Sequence, residues 1–415
     1  MLPNPDRTVA LTFFPDYRAA NPVQALVYDR LTPVIAAQPG GIEAALATLT
    51  TRPGPRPVFH LHWEDAVLRP DGASAEAFLD ATTRFRAGGG RVIWSVHNLK
   101  SHDPALEPRL ADLRAGLFEL ADVIHLHSLP ALAAARSLWP LALAKLRVIA
   151  HPSYDGAYPE VSRQKARVEL GLAEARMVLL LPGRQAAYKQ PEALVQAFRA
   201  VAGPQDRLIL AGQLAAGMAL PGGNDPRIVA RPGFATARDL ALLHAAADFV
   251  VLPYAHSLTS GSAILAATLA RPVLGPDSPG LRDAVEAGLS GVLYDTAAPD
   301  ALPQALADAL AEGPKVWAVR GRAARAAMAA RDPTIIAASW RDLILGLSNA
   351  AHWARPRSAI CCAAGPTPAP RHRAPLGNRR PWSDCPGKTC WPGPSTPMPR
   401  FWPTACRATS PSSPC

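Results

Sequence analysis

The sequence has 415 residues, of which 49% are hydrophobic, and a formal net charge of +10 at pH 7. A chain of this length is too long for one ordinary core and predicts two domains. The positive charge is concentrated in residues 351–415, which carry nine Lys and Arg residues against a single acid, Asp384. The first 350 residues are therefore nearly neutral, which argues against nucleic acid as a partner.

All six cysteines lie in the same terminal segment, so no disulfide framework is expected in the first 350 residues. The N-terminus lacks the charged region and the apolar run of a secretion signal. No uninterrupted apolar stretch reaches the roughly 18 residues that predict a membrane span. We therefore expect a cytoplasmic protein.

Residues 351–415 differ in composition from the rest of the chain. They hold fourteen of the 44 prolines and four of the nine tryptophans, and proline at this density prevents helices and sheet ladders. Three interpretations remain open: a disordered tail, a zinc site on Cys385 and Cys390, or the product of a reading-frame shift near residue 350. We favour the frame shift, because a GC-rich gene read out of frame encodes Pro, Arg, Ala, Cys and Trp with few acids.

The first part of the chain alternates short apolar strands with longer helical stretches. This alternation is typical of βαβ units and a parallel sheet. The predicted strands are 8–14, 57–62, 91–96, 122–127 and 146–150, and the predicted helices are 22–37, 74–87, 108–120 and 130–138.

After a connection near residue 160 the same alternation resumes and ends in two long helices. The predicted strands are 177–181, 208–211, 227–230, 249–252, 272–274 and 291–294, with helices 191–201, 237–246, 262–270, 280–287, 299–311, 315–330 and 333–347. We predict an α/β protein with two doubly wound parallel sheets facing a cleft. The first domain covers 1–155, the second 156–330, and a helix within 331–350 crosses back to the first, before the tail at 351–415. Ligands of such sheets bind at the carboxyl ends of the strands.

A candidate phosphate site follows the first strand of the second domain. Gly183 allows the backbone to turn tightly there, and Arg184 and Lys189 can both point into the cleft. Arg through its fork and Lys as a point charge together suit a diphosphate. The alternative is two surface cations on a loop, but their position at a strand end favours a ligand site.

A second candidate is the turn that precedes helix 262–270. It runs Ser257-Leu258-Thr259-Ser260-Gly261-Ser262 and offers backbone N–H groups and several hydroxyls. Such a turn is both an N-cap and an anion site. Tyr254 and His256, just after the preceding strand, are placed to contact a sugar or a base.

Polar residues also follow strand 91–96 of the first domain. His97, Asn98 and Asp103 lie close together in sequence at the end of this strand. A lone histidine there would be a structural hydrogen-bonding group, but the cluster favours a ligand site. Asn21, in the loop after the first strand, is a further candidate on this side of the cleft.

Four other histidines alternate along predicted strands. His60 and His62 share one face of strand 57–62, and His62 is a second cleft candidate. No acid or Cys at ligand spacing accompanies them, so we do not expect a metal site. His125 and His127 alternate in the same way, and we expect both to be structural.

The second-domain motifs resemble those of a known family. Gly-Arg-x4-Lys after one strand, then a strand, a Ser/Gly loop, a helix and Arg271-Pro272-Val273, resembles the GT-B glycosyltransferases, and most closely glycosyltransferase family 4, or group 1. The resemblance covers about residues 8–348 and is strongest over 177–295. It implies two Rossmann-like domains, the second of which binds a nucleotide-diphosphate sugar.

The resemblance also implies roles for the candidate residues. Arg184 and Lys189 would hold the diphosphate leaving group, and His97 would face the donor sugar. The other donor-side positions are Gly183, Phe234, Tyr254, Ser257, Thr259, Ser260, Gly261 and Ser262, and the acceptor-side positions are Asn21, His62, Asn98 and Asp103.

One departure from the family pattern concerns the donor. The family usually carries two glutamates eight residues apart at this loop and helix, one for the donor sugar and one for the ribose. Ser257 and Leu265 occupy the matching positions here. The loop therefore looks like a subgroup variant in which the ribose contact differs.

The expected function is sugar transfer from a nucleotide-diphosphate donor to a hydroxyl of a glycan or lipid-linked acceptor, as in bacterial polysaccharide biosynthesis. We expect no cofactor and no metal, and retention of configuration; inversion would instead need a carboxylate base such as Asp103, Glu64 or Asp65. A stretch around Trp139 and Lys145 allows peripheral contact with the inner membrane face. The alternatives are a non-catalytic GT-B partner protein and a sugar-nucleotide epimerase.

Overall fold

The computed structural model describes residues 8–49, 54–68, 74–101, 103–219 and 221–349. The predicted tail at 351–415, with the zinc hypothesis that belongs to it, lies outside these residues. Within the described part, no helix has both the length and the apolar character needed to cross a membrane.

The first lobe is built on a six-stranded parallel sheet with the strand order β2-β1-β3-β4-β5-β6. Its central strands are buried on both faces, because helices cover both sides of the sheet. The strands are β1 Val9–Phe14, β2 Ile35–Pro39, β3 Val58–His62, β4 Arg91–Ser95, β5 Val123–Leu126 and β6 Leu146–Val148; the helices are α1 Val23–Tyr28, α2 Ile42–Leu46, α3 Ala75–Ala87, α4 Glu107–Leu120 and α5 Leu129–Leu138.

The second lobe repeats this plan with the order β12-β11-β10-β7-β8-β9, again all parallel. Its strands are β7 Val178–Pro182, β8 Arg207–Gly212, β9 Ile228–Pro232, β10 Phe249–Val251, β11 Val273–Pro276 and β12 Gly291–Tyr294; its helices are α6 Arg163–Glu169, α7 Pro191–Val201, α8 Ala237–Ala246, α9 Gly261–Thr268, α10 Pro279–Arg282 and α11 Ala301–Ala327. Helix α12 Pro333–Asn349 follows. The predicted α/β class with two doubly wound parallel sheets is confirmed.

The prediction of one helix over 22–37 is wrong. Helix α1 ends at Tyr28, and residues 35–39 form β2, which pairs with β1 at the edge of the sheet. Pro33 explains the break, because proline lacks an N–H and disfavours helical backbone in the residue before it. Another predicted helix, 280–287, is shorter in the structure, where α10 ends at Arg282.

The two lobes share their cores. Val23 and Leu26 of α1 are buried with the apolar side chains of the second lobe. Conversely, Leu258 comes from the second-lobe loop before α9 and is buried among side chains of the first lobe. This exchange holds the carboxyl ends of the two sheets against a common cleft.

The last described helix, α12, belongs spatially to the first lobe. Trp340 and Ile344 are buried with apolar residues of β1 and β3. The Oγ of Ser348 donates to the carbonyl oxygen of Arg56 at 2.8 Å. The chain therefore enters the first lobe, leaves for the second, and returns to cover the first.

Replacing Leu258 by alanine tests the core exchange. Leu258→Ala removes a side chain that is only 5% exposed, so we expect the free energy of unfolding to fall by about 2–4 kcal/mol. Urea denaturation measures it. Leu143, which is 63% exposed, is the matched control, and an equal loss in Leu143→Ala would contradict the proposed burial of Leu258.

Candidate active site between the lobes

A glycine turn at the end of β7 forms the floor of the second-lobe site. Gly183 has a φ of +83°, in the left-handed region that favours glycine. A methyl group at this position would lie 2.9 Å from the Nζ of Lys189 and 3.9 Å from the Oγ of Ser262. The fold therefore brings Lys189 and Ser262, which are far apart in sequence, over one backbone turn.

Lys189 is a buried cation. Its side chain is on a residue that is 4% exposed, its Nζ donates to the carbonyl oxygen of Pro182 at 3.0 Å, and it lies 5.2 Å from the centre of the Tyr254 ring. Burial lowers the pKa of this ammonium group. No carboxylate in the described part of the chain forms an ion pair with it. A buried charge in this state is stabilised by an anion.

The start of α9 forms the second wall of the site. Ser260 is the N-cap, and its Oγ accepts a hydrogen bond from the backbone N–H of Ala263 at 3.2 Å. The first N–H groups of a helix have no partner inside it, so those of Gly261 and Ser262 are available to a ligand. Thr259 adds a buried hydroxyl without a hydrogen-bond partner among the described residues.

Ser257 and Leu265 occupy different surroundings. The chain at Ser257 packs against α10, where a methyl group on Gly280 would lie 2.2 Å from the Ser257 Oγ. Leu265 is buried in the core of the second lobe. Of the two positions matched to the family glutamates, Ser257 is thus close to the cleft, and Leu265 contributes to packing.

Arg184 and Phe234 are both exposed. Arg184 follows Gly183 directly and makes no hydrogen bond or ion pair with other described residues. Phe234, 68% exposed, borders a separate cavity of about 520 Å³ at the carboxyl end of β9, together with Arg231 and Gly233. Strands β7, β8 and β9 are parallel neighbours in the sheet. The cavity at the carboxyl end of β9 and the Lys189 turn after β7 therefore lie at the same edge.

The first lobe faces the cleft with a group of buried histidines, which we call the histidine cluster. They lie on or just after β3, β4, β5 and β6, where these parallel strands end at the same edge of the sheet. Neighbouring ring centres are 4.0–5.5 Å apart. The members are His60, His62, His97, His125, His127 and His151.

Burial keeps the histidine cluster neutral. Desolvation is the largest cause that lowers the pKa of each ring, and repulsion between neighbouring rings adds to it. The pKa values of His125 and His151 fall to about 4. All six rings are therefore uncharged at neutral pH, where each has one N–H donor and one acceptor nitrogen.

His97 is the member of the cluster that directly follows β4 and precedes Asn98. Its Nε2 is 3.1 Å from the Nδ1 of His62. Trp63 stacks on its ring at 3.9 Å with an interplanar angle of 12°, and the backbone of Trp63 is in the left-handed region, with a φ of +39°. The ring of His97 is thus held from the side and from one face.

The other first-lobe candidates are distributed around the cleft. Asn98 lines a cavity of about 480 Å³ between the lobes, opposite Ser257 and Leu258. The Oδ1 of Asn21 accepts from the N–H of Val23 at 3.1 Å and from the Tyr154 hydroxyl at 3.5 Å. Asp103 is exposed, and its Oδ1 accepts from the N–H of Ala105 at 3.0 Å, which makes it a local cap.

The carboxylate of Glu64 is bound internally. Its Oε1 accepts from the Nε of Arg114 at 2.8 Å, and both side chains are 5% exposed. Burial raises its pKa, although Arg114 opposes the shift. Arg114 also lies 5.2 Å from the Trp139 ring centre, and Lys145 donates to the carbonyl oxygen of Phe118 at 2.7 Å. Glu64, Trp139 and Lys145 therefore have contacts within the first lobe.

The structure adds residues that the sequence patterns missed. Tyr28, Ser95, His151 and Tyr154 are buried polar residues within the site. Ser95 was visible as a single hydroxyl at the end of an apolar strand, and His151 as a histidine just after β6. In the described ranges, no group of three or more His, Cys, Asp and Glu side chains is arranged to hold a metal ion.

Comparison with known proteins supports the family resemblance. Residues 176–312 match the family model described as glycosyl transferases group 1. The fold is similar to that of Anabaena HepE in complex with UDP, with a TM-score of 0.61 and 15% identity, covering 81% of this chain and 99% of that chain. No curated protein matches the sequence.

Two further solved structures share the fold. Sucrose-phosphate synthase from Thermosynechococcus elongatus has a TM-score of 0.58 and 22% identity, covering 73% of this chain and 76% of that chain. A glycosyltransferase from Rickettsia africae ESF-5 has a TM-score of 0.57 and 11% identity, covering 83% of this chain and 100% of that chain. The predicted GT-B fold is confirmed.

The histidine cluster predicts acid sensitivity. A pKa that is lower in the folded protein than the ordinary 6.5 means that the unfolded chain binds more protons, so stability is lost as the pH falls below about 6.5. Between pH 6.5 and 4, His125 and His151 should each lower the free energy of unfolding by about 1.4 kcal/mol per pH unit. Urea denaturation at several pH values measures the slope.

His127 provides a sharper version of this test. Both of its ring nitrogens are buried without a hydrogen-bond partner in the described part of the chain. His127→Phe should therefore preserve stability at pH 7 and reduce the slope in acid. A slope as steep in His127→Phe as in the wild type would contradict the assignment.

Proposed function

We propose that the protein is a glycosyltransferase that moves a sugar from a nucleotide-diphosphate donor to a hydroxyl acceptor. The observation that carries this proposal is Lys189, an ammonium group buried without a carboxylate beside Ser262 and the start of α9. This combination of a cation, a hydroxyl and free backbone N–H groups suits a diphosphate. The family match over 176–312, which contains all of these groups, supports the same ligand.

The diphosphate would be the leaving group. Negative charge builds on it as the bond to the sugar breaks, and Lys189 and the N–H groups of Gly261 and Ser262 stabilise this charge. Arg184 is exposed, directly after Gly183, so its fork can close over the outer phosphate oxygens. The hydroxyl of Thr259, buried without a partner in the described structure, supplies a further donor.

The nucleotide would extend from this cradle toward β9. The cavity beside Gly233 and Phe234 offers an aromatic ring and backbone groups to a base. Anabaena HepE, which shares the fold, has been crystallised with UDP and with UDP-glucose. UDP-glucose is therefore the first donor to test. Tyr254, whose ring lies near Lys189, would lie close to the diphosphate.

The acceptor would enter between the lobes. The cavity lined by Asn98 and Ser257 opens at this point, and Asn98 and Lys100 provide polar groups at its first-lobe side. A glycan or a lipid-linked sugar would suit this cavity, because its lining combines the polar groups of Asn98 and Ser257 with apolar side chains such as Leu258. Glu64 is paired with Arg114 and Asp103 acts as a local cap, so two of the three candidate bases for an inverting reaction are engaged elsewhere, which favours retention of configuration.

A second candidate function is that of a non-catalytic GT-B partner protein. Ser257 and Leu265 favour it, because neither can replace the usual carboxylates. The buried cation favours the enzyme, because an unpaired Lys189 is costly in a protein that binds no anion. Turnover of a nucleotide sugar separates the two.

Removing the charge of Lys189 tests the cradle. Lys189→Met keeps most of the apolar stem, so we expect kcat/KM to fall by the equivalent of about 2–4 kcal/mol of transition-state stabilisation. Lys165 of α6 is exposed, and Lys165→Met is the control for the change in charge. Equal turnover in the wild type and Lys189→Met would exclude the assigned role.

A thermal-shift series with UDP-, GDP- and TDP-sugars identifies the donor. A ligand at one hundred times its Kd stabilises the folded protein by about 2.7 kcal/mol, so the correct sugar nucleotide should raise Tm. We expect the same shift with EDTA present, because the proposed transfer uses no metal. If no nucleotide sugar shifts Tm while the protein is folded, donor binding is ruled out and the partner-protein function is favoured.

A further inference from the structure

Seven groups of the first lobe form a continuous chain of hydrogen bonds. It starts at the Ile149 carbonyl oxygen, which is 2.9 Å from the Nε2 of His125. The Nδ1 of His125 is 2.7 Å from the Ser95 Oγ, which is 2.8 Å from the Nε2 of His60. The chain therefore runs across β4 and β5, from the end of β6 toward β3.

The second half of the hydrogen-bond chain ends at His97, which directly precedes Asn98 of the cavity between the lobes. The Nδ1 of His60 is 2.8 Å from the Tyr28 hydroxyl, and this hydroxyl is 2.5 Å from the Nε2 of His62. The Nδ1 of His62 is 3.1 Å from the Nε2 of His97. The Nδ1 of His97 has no hydrogen-bond partner among the described residues.

The carbonyl at one end determines where every hydrogen of the chain lies. A carbonyl oxygen only accepts, so His125 carries its hydrogen on Nε2 and accepts on Nδ1 from Ser95. The single hydroxyl hydrogen of Ser95 is then used, so Ser95 accepts from the Nε2–H of His60. The direction of donation at the start of the chain is thus fixed by an atom that cannot titrate.

The same reasoning assigns the donor and the acceptor of each remaining hydrogen bond as far as His97. His60 accepts on Nδ1 from the Tyr28 hydroxyl, and Tyr28 accepts from the Nε2–H of His62. His62 then accepts on Nδ1 from the Nε2–H of His97. His97 is left with an acceptor lone pair on Nδ1.

We infer that this chain positions His97 as a hydrogen-bond acceptor for a hydroxyl of the bound sugar. Ser95 and Tyr28 are the positioning residues, because their hydroxyls transmit the direction of donation from Ile149 to His97. This inference rests on the proposed function, which supplies the sugar. It assigns a purpose to polar groups that would otherwise be expensive to bury inside a sheet.

Three observations support the inference. Burial lowers the pKa of each histidine in the hydrogen-bond chain, so each ring is neutral and has one N–H donor and one acceptor nitrogen. The rings are held in place, since Trp340 lies 4.7 Å from His60 and 4.6 Å from His125. The chain ends at a carbonyl, which cannot take up a proton, so it orients groups and does not conduct protons.

Reversing the direction of donation along the hydrogen bonds costs free energy only while all of these hydrogen bonds are present. If His97 turned its hydrogen to Nδ1, every donor would reverse and a histidine lone pair would face the Ile149 oxygen. A buried acceptor without a donor costs about 1–3 kcal/mol, which corresponds to a preference of roughly 5- to 150-fold. Ser95→Ala cuts the chain near its anchor and removes this preference.

Nitrogen NMR of the full-length protein, labelled with ¹⁵N-histidine, tests the inference directly. The two-bond ¹H–¹⁵N couplings of His97, assigned by comparison with His97→Gln, report which nitrogen carries the hydrogen. We expect Nε2–H in the wild type and a mixture of both forms in Ser95→Ala and Tyr28→Phe. Ser95→Thr, which keeps a hydroxyl, should restore Nε2–H, and Thr82→Val, which removes a buried hydroxyl bonded to Phe78 outside the chain, should not change His97.

Turnover with the nucleotide sugar tests the second half of the inference. We expect kcat to fall about two- to tenfold in Ser95→Ala and Tyr28→Phe, with recovery in Ser95→Thr. A hydrogen on Nδ1 in the wild type, or no change of His97 in either variant, would overturn the chain. A changed tautomer with unchanged kcat would overturn the contact with the sugar. If the wild type turns over no nucleotide sugar, the proposed function fails, whereas the NMR result still decides the chain.

Discussion

The buried ammonium group of Lys189 is the constraint on which the second-lobe site depends. An unpaired cation with 4% exposure is tolerated only where backbone dipoles and an aromatic face surround it, and here Pro182 and Tyr254 supply them. The turn that permits this is equally constrained. A methyl group on Gly212 would lie 2.1 Å from the carbonyl oxygen of Gly183, so two strands approach each other closely enough only through glycine.

The two sides of the cleft offer different chemical groups. The second lobe offers a cation, hydroxyls and backbone N–H groups, which favour negative charge. The first lobe offers neutral histidines, whose pKa values are lowered by burial, and neutral rings do not attract phosphate. In the proposed function, this difference would keep the charged half of a nucleotide sugar on the second lobe and leave the uncharged sugar to the first.

The sequence was informative where a function is local along the chain. Gly183 and Lys189 lie six residues apart after a fully apolar strand, and His97 directly follows another strand, so a pattern within a short window revealed them. Tyr28 and Ser95 were missed because their importance comes from partners 30 or more residues away. Residues 35–39 were assigned to a helix because an edge strand with small side chains lacks the apolar run of the central strands.

The return of α12 to the first lobe has a consequence for how the protein is made. Trp340 covers His60 and His125, and it is synthesised after the whole of the second lobe. At ~5–20 residues per second, the histidine-bearing edge of the first sheet remains uncovered for tens of seconds on the ribosome. The second lobe can complete its own sheet in this interval, so the sheet that carries Lys189 is finished before Trp340 covers the histidines of the first lobe.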